Sequence, residues 1–138
     1  MSTEAGAQSF LEHDPEYVQL TRELTPDAEV YRVSYKTVLH KMESYFARGF
    51  DRKTLSMELP QGVREEAWDV IFVDGPTGFA PSTPGRFQSI WEASRFRDAK
   101  HIFVHDCDRP AEARASEAFL GPYWPKRERI GKLWHYYL

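Results

Sequence analysis

The sequence predicts an α/β fold in which a mostly parallel sheet is covered by helices, and three observations predict it. Val70–Val73 is an unbroken apolar run, rich in β-branched residues and stopped by Asp74-Gly75-Pro76. That is the pattern of a strand buried on both faces. The run from His101 to Asp106 has the same character and also ends in an acid. Finally, strand-like and helix-like segments alternate in the order β-α-β-α-β-α-β-α-β-β, which calls for parallel strands joined by right-handed crossovers and closed by an antiparallel pair. The expected architecture is a single Rossmann-like domain over residues 1–138.

Each element has its own signal. Ser9-Phe10-Leu11 is a short apolar run leading to Glu12, and Asp14-Pro15-Glu16 is a helix start, because Asp caps and Pro is preorganised at the first helical position. The amphipathic segment Glu16 to Leu24 follows. Ala28 to Tyr35 alternates apolar and polar residues as a half-buried strand does. Lys36 to Arg48 carries Val38, Leu39, Met42, Tyr45 and Phe46 at helical spacing, and Gly49 ends it. Residues 50–67 read as a loop or short strand. After Asp74 a Pro- and Gly-rich loop runs to Gly85, and loops of about ten residues at the carboxyl edge of a sheet more often serve function than connection. Arg86 to Arg97 reads as a helix with Phe87, Ile90, Trp91 and Ser94 inward, and Pro110 to Leu120 as another. Gly121-Pro122 and Gly131 then delimit Lys126–Ile130 and Lys132–Leu138 as a terminal antiparallel pair.

At 138 residues with a net charge of -3, the chain has room for one core. Its charge argues against a nucleic-acid partner held by phosphate neutralisation. Cys107 is the single cysteine, so no internal disulfide forms and the redox compartment is not legible. There is no apolar run of membrane-spanning length, and the segment Met1 to Gln8 has neither the basic nor the apolar part of a signal peptide.

The functional signal is the pair of carboxylates. In open α/β folds, ligands bind outside the carboxyl ends of the strands, where Asp74 and Asp106 fall. An Asp that closes a strand is often only a turn former or a helix cap. Two of them, with Asp108 and two flanking histidines, form a constellation. Glu12, also at a strand end, is placed to accept hydrogen bonds from ribose hydroxyls. Arg86 and Arg109 open helices on the same edge, and a guanidinium matches a carboxylate in a bidentate way. Nothing resembles the Gly-x-Gly-x-x-Gly loop of dinucleotide-dependent enzymes.

Phe10-Leu11-Glu12-His13-Asp14, Tyr35-Lys36-Thr37, the stretch Trp68 to Phe79, Pro84-Gly85-Arg86, Val104-His105-Asp106-Cys107-Asp108-Arg109 and Ala118-Phe119-Leu120 together carry a family likeness. They resemble the plant polysaccharide-biosynthesis domain of the glucuronoxylan 4-O-methyltransferases, over nearly the whole chain from Phe10. The resemblance implies the class I S-adenosylmethionine-dependent methyltransferase fold and methyl transfer to a glucuronic acid side chain of a cell-wall polysaccharide such as glucuronoxylan. The implied acceptor is a polysaccharide or oligosaccharide, and the implied place is the Golgi.

The likeness also implies residue roles. Glu12 holds the cofactor ribose, His13 lies against the adenine edge, and Asp74 is a further cofactor-binding residue. Asp74 and Asp106 hold a divalent cation, Mg²⁺ or Mn²⁺ for hard oxygen ligands; with His105 a later metal such as Co²⁺ also suits. His105 is the candidate general base, Arg86 and Arg109 bind the uronic acid carboxylate, and Phe79 and Tyr123 offer rings to stack on a sugar. Such domains open with a strand and a glycine loop that cradles the cofactor, and the likeness here starts after both, Ala5-Gly6-Ala7 being a poor substitute. The expectation is therefore a fold lacking its first strand, with open sheet edges available for self-association. A truncated or non-catalytic relative acting in xylan biosynthesis by association is the alternative.

Overall fold

The structure, a computed structural model, describes residues 6–138. Met1–Ala5 lie outside the described residues, and with them part of the expectations about a leader and about Ala5-Gly6-Ala7. It is a mixed α/β chain with two compact units: one comprises residues up to Ser34 together with Glu58–Glu65, the other Tyr35–Met57 and Glu66–Leu138.

In the first unit, β1 (Ser9–Glu12) pairs in parallel with β2 (Glu29–Arg32), Ser9 opposite Glu29 and Glu12 opposite Arg32. Between them runs α1 (Pro15–Leu24), started as expected by Asp14, whose side chain accepts from the backbone N–H of Glu16 at 2.9 Å. The Arg22 guanidinium donates to the Val30 carbonyl at 3.0 Å and so ties the helix to the strand. Val18, Val30, Val33 and Val63 are buried, the last on the short helix α3 (Gln61–Glu65).

The second unit contains α2 (Met42–Tyr45) and is built on a four-stranded sheet in the order β3-β4-β6-β5. β3 (Val70–Val73) and β4 (His101–Val104) are parallel, Val73 opposite Val104. The terminal pair β5 (Lys126–Ile130) and β6 (Leu133–Tyr137) is antiparallel as expected, with β6 lying between β4 and β5. α4 (Phe87–Ser94) follows the long loop after β3, and α5 (Pro110–Phe119) follows β4. Ile90, Ile102, Val104, Ala115, Leu120 and Trp124 form the buried centre of this unit, and the Trp124 indole N–H donates to the Ala99 carbonyl at 2.7 Å. The burial of Gln88 is matched by its bonds: Oε1 accepts from the backbone N–H groups of Lys36 and Thr37, and Nε2 donates to Leu55.

Three expectations are corrected. The helix expected over Lys36 to Arg48 is a 3₁₀ turn, Leu39–Lys41, followed by the single turn of α2. The backbone there spends its donors elsewhere: Val38 N–H bonds the Tyr45 hydroxyl, and Leu39 and His40 bond the carbonyls of Thr83 and Pro81. The reading of residues 50–67 as loop or short strand gives way to a 3₁₀ turn, Arg52–Leu55, and to α3. Val70–Val73 is not buried on both faces, since Val70 is 54% and Phe72 56% exposed while Val73 is buried. It has one hydrogen-bonded neighbour among the described residues, and α4 packs on it from one side. No helix among the described residues is long and apolar enough to cross a membrane.

Candidate functional site

Parallel strands deliver their last residues to the same edge, and the sequence places chemistry immediately after both β3 and β4. Asp74 follows β3 and is 61% exposed at its side chain. His105 and Asp106 follow β4, and the His105 N–H donates to the Val73 carbonyl at 2.9 Å, which locks the two strand ends together. Asp106 has φ +60°, the left-handed conformation that Asp tolerates better than most residues. This turn lets the Asp106 carboxylate double back towards its own neighbour. The His105 Nδ1 lies 3.2 Å from Asp74 Oδ1 and 3.1 Å from Asp106 Oδ1. That nitrogen is buried, and neither contact has the alignment of a hydrogen bond.

Arg86 organises the centre. Its guanidinium, 6% exposed, donates to the carbonyls of Pro76 at 3.1 Å, His105 at 2.8 Å and Asp74 at 3.3 Å, and to Asp106 Oδ2 at 2.8 Å. Expected as an arm for a substrate carboxylate, it spends its donors on the chain itself, bracing the loop and both strand ends. Arg109 is more open and reaches the same Asp106 Oδ2 at 2.7 Å. Burial alone would raise the Asp106 pKa. The hydrogen bond from Arg86, the close approach of His105 and the charges of Arg86 and Arg109 outweigh it and hold the carboxyl below its ordinary range.

Two buried groups escaped the sequence reading. Burial pushes the Cys107 thiol up to about 11, with Ser116 the neighbour that opposes the shift. Glu112, in the first turn of α5, is 1% exposed, and neither of its carboxyl oxygens has a hydrogen-bond partner; Arg109 Nη1, 3.7 Å away, has none either. Burial raises the Glu112 pKa, opposed first by its own backbone N–H and then by the charges of Arg109 and Arg86. The signal available in the sequence was an acid two residues after Pro110, the position at which a carboxylate faces a helix N-terminus. A solvated acid reads the same way.

Gly78 lies over this pair. A Cβ there would come within 2.6 Å of Glu112 Oε1 and 3.3 Å of the Gly85 Cα. Gly78→Ala is therefore expected to cost about 1–3 kcal/mol, read as a lower urea midpoint.

Asp74, His105, Asp106, Arg86 and Arg109 thus come together in one unit. Glu12 and His13 belong to the other unit. There Glu12 Oε1 accepts from the backbone N–H groups of His13 at 3.0 Å and Asp14 at 3.1 Å, and His13 Nδ1 lies 3.2 Å from the same oxygen. Phe79 is 74% exposed, and the Tyr123 ring takes the Arg97 guanidinium 3.2 Å from its centroid.

The Asp74, His105 and Asp106 ligand atoms lie within 4.8 Å of one another. Neighbouring ligands of a small octahedral cation bound at about 2.1 Å stand about 3 Å apart, and the contacts from His105 Nδ1 match that. The donor set fits a divalent cation, although two guanidiniums on the far oxygen of Asp106 weaken the field such an ion would feel.

Residues 47–136 match the model of the IRX15/IRX15L/GXM family. Glucuronoxylan 4-O-methyltransferase 2 of Arabidopsis thaliana is 34% identical over 95% of this chain and 51% of its own. Arabinogalactan O-methyltransferase 2 of the same plant is 28% identical over 95% and 53%, and Protein IRREGULAR XYLEM 15 is 31% identical over 83% and 43%. The chain therefore spans about half the length of the curated relatives it matches. No solved structure matches it significantly. A family match over most of the chain, centred on both strands that end at the Asp74–His105–Asp106 cluster, shows that this chain belongs to the IRX15/IRX15L/GXM family.

Proposed function

We propose that the chain is part of an S-adenosylmethionine-dependent O-methyltransferase with a Rossmann-like class I fold, acting in the Golgi on glucuronic acid side chains of a cell-wall polysaccharide such as glucuronoxylan. The observation that carries this reading is His105 Nδ1 set between Asp74 and Asp106 at the ends of two parallel strands, in a family with methyltransferase relatives. When bound, S-adenosylmethionine supplies an electrophilic methyl group. The chain's task is to orient the acceptor hydroxyl and take its proton.

Glu12 fits a ribose diol: Oε1 is held by its own backbone, so Oε2 is the oxygen to offer. His13, next to it, would border the adenine. At the other cluster, the two carboxylates favour the His105 tautomer with its proton on Nδ1, which makes Nε2 the base for the acceptor proton. A divalent cation held by Asp74, His105 and Asp106 is the alternative use of the same nitrogen, lowering the hydroxyl's pKa instead. Arg109 is the arm for the uronic acid carboxylate, and Arg86 keeps the strand ends in place.

Incubation of the chain with methyl-labelled S-adenosylmethionine and glucuronoxylan should place label on glucuronic acid. Loss of the label on chelation and its return with Mn²⁺ assigns the cation role; indifference to chelation assigns the base role. No label from any cell-wall acceptor would sink the reading.

One observation favours a second reading, a non-catalytic relative acting by association in xylan biosynthesis: the similarity to Protein IRREGULAR XYLEM 15, whose name states no activity. Strands β1 and β3 each have one paired edge among the described residues, and edges of this kind recruit other chains. A dimer in sedimentation experiments, together with no methyl transfer, would favour it.

A further inference from the structure

We propose that the β5–β6 hairpin is a docking track for the acceptor polymer: an acidic polysaccharide lies along the outer edge of β5, its carboxylates on Lys126, Arg129 and Lys132, and the hairpin turn leads it to the Asp74–His105–Asp106 cluster. The identity of the polymer rests on the acceptor proposed above.

Charge is unevenly spread along the sequence. Of 18 lysines and arginines and 21 acids, residues 126–138 hold four and one, so the hairpin is net positive in a chain whose net charge is -3. A polyanion is repelled by such a chain except where its cations are gathered. β5 is the edge of its sheet, all five of its residues are exposed, and its outer backbone edge is unpaired among the described residues.

The cations of the hairpin differ in what holds them. Among the described residues, the acids paired with them are Glu117, on Arg127 at 2.8 Å, and Asp108, 4.0 Å from Lys132. Lys126 and Arg129 have none. Each lies over a ring instead: the Arg129 Cζ is 4.7 Å from the Trp134 centroid, and the Lys126 Nζ is 5.8 Å from that of Tyr137. A cation laid on a ring is placed without its donors being spent, which lowers the cost of ordering it on binding. The exposed Arg129 guanidinium keeps its fork for a carboxylate.

Lysines and arginines on an edge strand also keep it from pairing with a copy of itself. That role ends with the strand, whereas here the charge continues into the turn at Lys132. The track meets the site at this turn, where the backbone N–H of Cys107, the residue after Asp106, donates to the Lys132 carbonyl at 2.8 Å. A strand of this length runs about 17 Å, which suits a polymer better than a single sugar.

The test is calorimetric titration of the chain with glucuronoxylan, with the same polymer after carboxyl reduction, and with polyglutamate. Wild type, Arg129→Gln and the triple variant Lys126→Gln/Arg129→Gln/Lys132→Gln are compared, each checked for a cooperative thermal transition. Wild type should bind glucuronoxylan more tightly than the reduced polymer. Arg129→Gln should lose about threefold of that preference and the triple variant roughly tenfold, the scale of exposed charge pairs. The reduced polymer should bind all three proteins alike, and added salt should weaken glucuronoxylan binding more in wild type than in the triple variant.

A triple variant that keeps the wild-type preference, or wild type that has none, overturns the track. Polyglutamate held as tightly as glucuronoxylan, and released by the same substitutions, gives the surface to an acidic protein segment and overturns the polysaccharide. The proposed activity is read separately, in the labelling assay. Track-dependent binding without methyl transfer removes that activity and upholds the track; methyl transfer with unaltered binding by the triple variant does the reverse.

Discussion

Arg86→Ala is expected to be the most damaging single substitution in the strand-end cluster, lowering stability by about 3–5 kcal/mol. The argument is one of unpaired groups. Arg86 is almost fully buried; its removal strands the carbonyls of Pro76, Asp74 and His105 and leaves the Asp106 carboxylate with Arg109 in place of two guanidiniums. Each buried acceptor left without a donor costs its desolvation, and a buried charge left without its partner costs most. Arg86→Lys should recover little, because one ammonium cannot span acceptors arranged around a planar fork. Equilibrium urea unfolding at neutral pH checks both variants. Near-wild-type midpoints would mean that the guanidinium is not what holds the loop to the two strand ends.

The second large effect is expected at Asp106, where Asp106→Asn separates charge from backbone. Asn accepts the φ of +60° as readily as Asp does, so the turn survives and only the charge is lost. The sign follows from linkage. The folded-state pKa of Asp106 is depressed, so its contribution to stability is present above the ordinary carboxylate range and is lost as the pH falls through the lowered value. At pH 7 the variant should therefore be less stable than wild type by roughly 3 kcal/mol, since Arg86 loses its charged partner. The difference should shrink towards zero as the pH is taken below about 4. A gap that persists unchanged into acid would show that the Asp106 charge is not its source. If the cluster performs the proposed chemistry, the variant also loses at least a hundredfold in methyl transfer, the scale for removing a group that acts on the reacting atoms.

Much of this architecture was legible because it depends on local chemistry. Asp14 and Pro15 start α1 where capping says they should, and Pro110 opens α5. The apolar runs at Val70 and His101 are parallel strands, and Gly131 sits at positive φ in the turn between β5 and β6. The failures have a common cause in partners distant along the chain. Lys36 to Arg48 has helical spacing, but its backbone donors are claimed by the 81–83 segment and by the Tyr45 hydroxyl. Val70–Val73 looks like an interior strand, yet burial depends on what lies against each face, and an apolar run alone does not say.

The same limit applies to the site. That Asp74, His105 and Asp106 converge follows from two parallel strands ending in acids, which sequence can suggest. That Arg86 points inward while Arg109 stays partly open is decided by the loop between Asp74 and Gly85. Glu112 escapes a sequence reading because a charged residue at a helix start is ordinarily solvated; its burial beneath Gly78 depends on a loop distant along the chain.

The central claim, that the cluster at the ends of β3 and β4 performs methyl transfer, is tested most directly by comparing labelled methyl incorporation into glucuronoxylan by wild type and by His105→Ala. His105 donates no side-chain hydrogen bond that the fold depends on, so the variant should unfold as wild type does. Incorporation by wild type, with at least a hundredfold loss in the variant, is the predicted result. Equal incorporation by both proteins, or none by wild type, would contradict it.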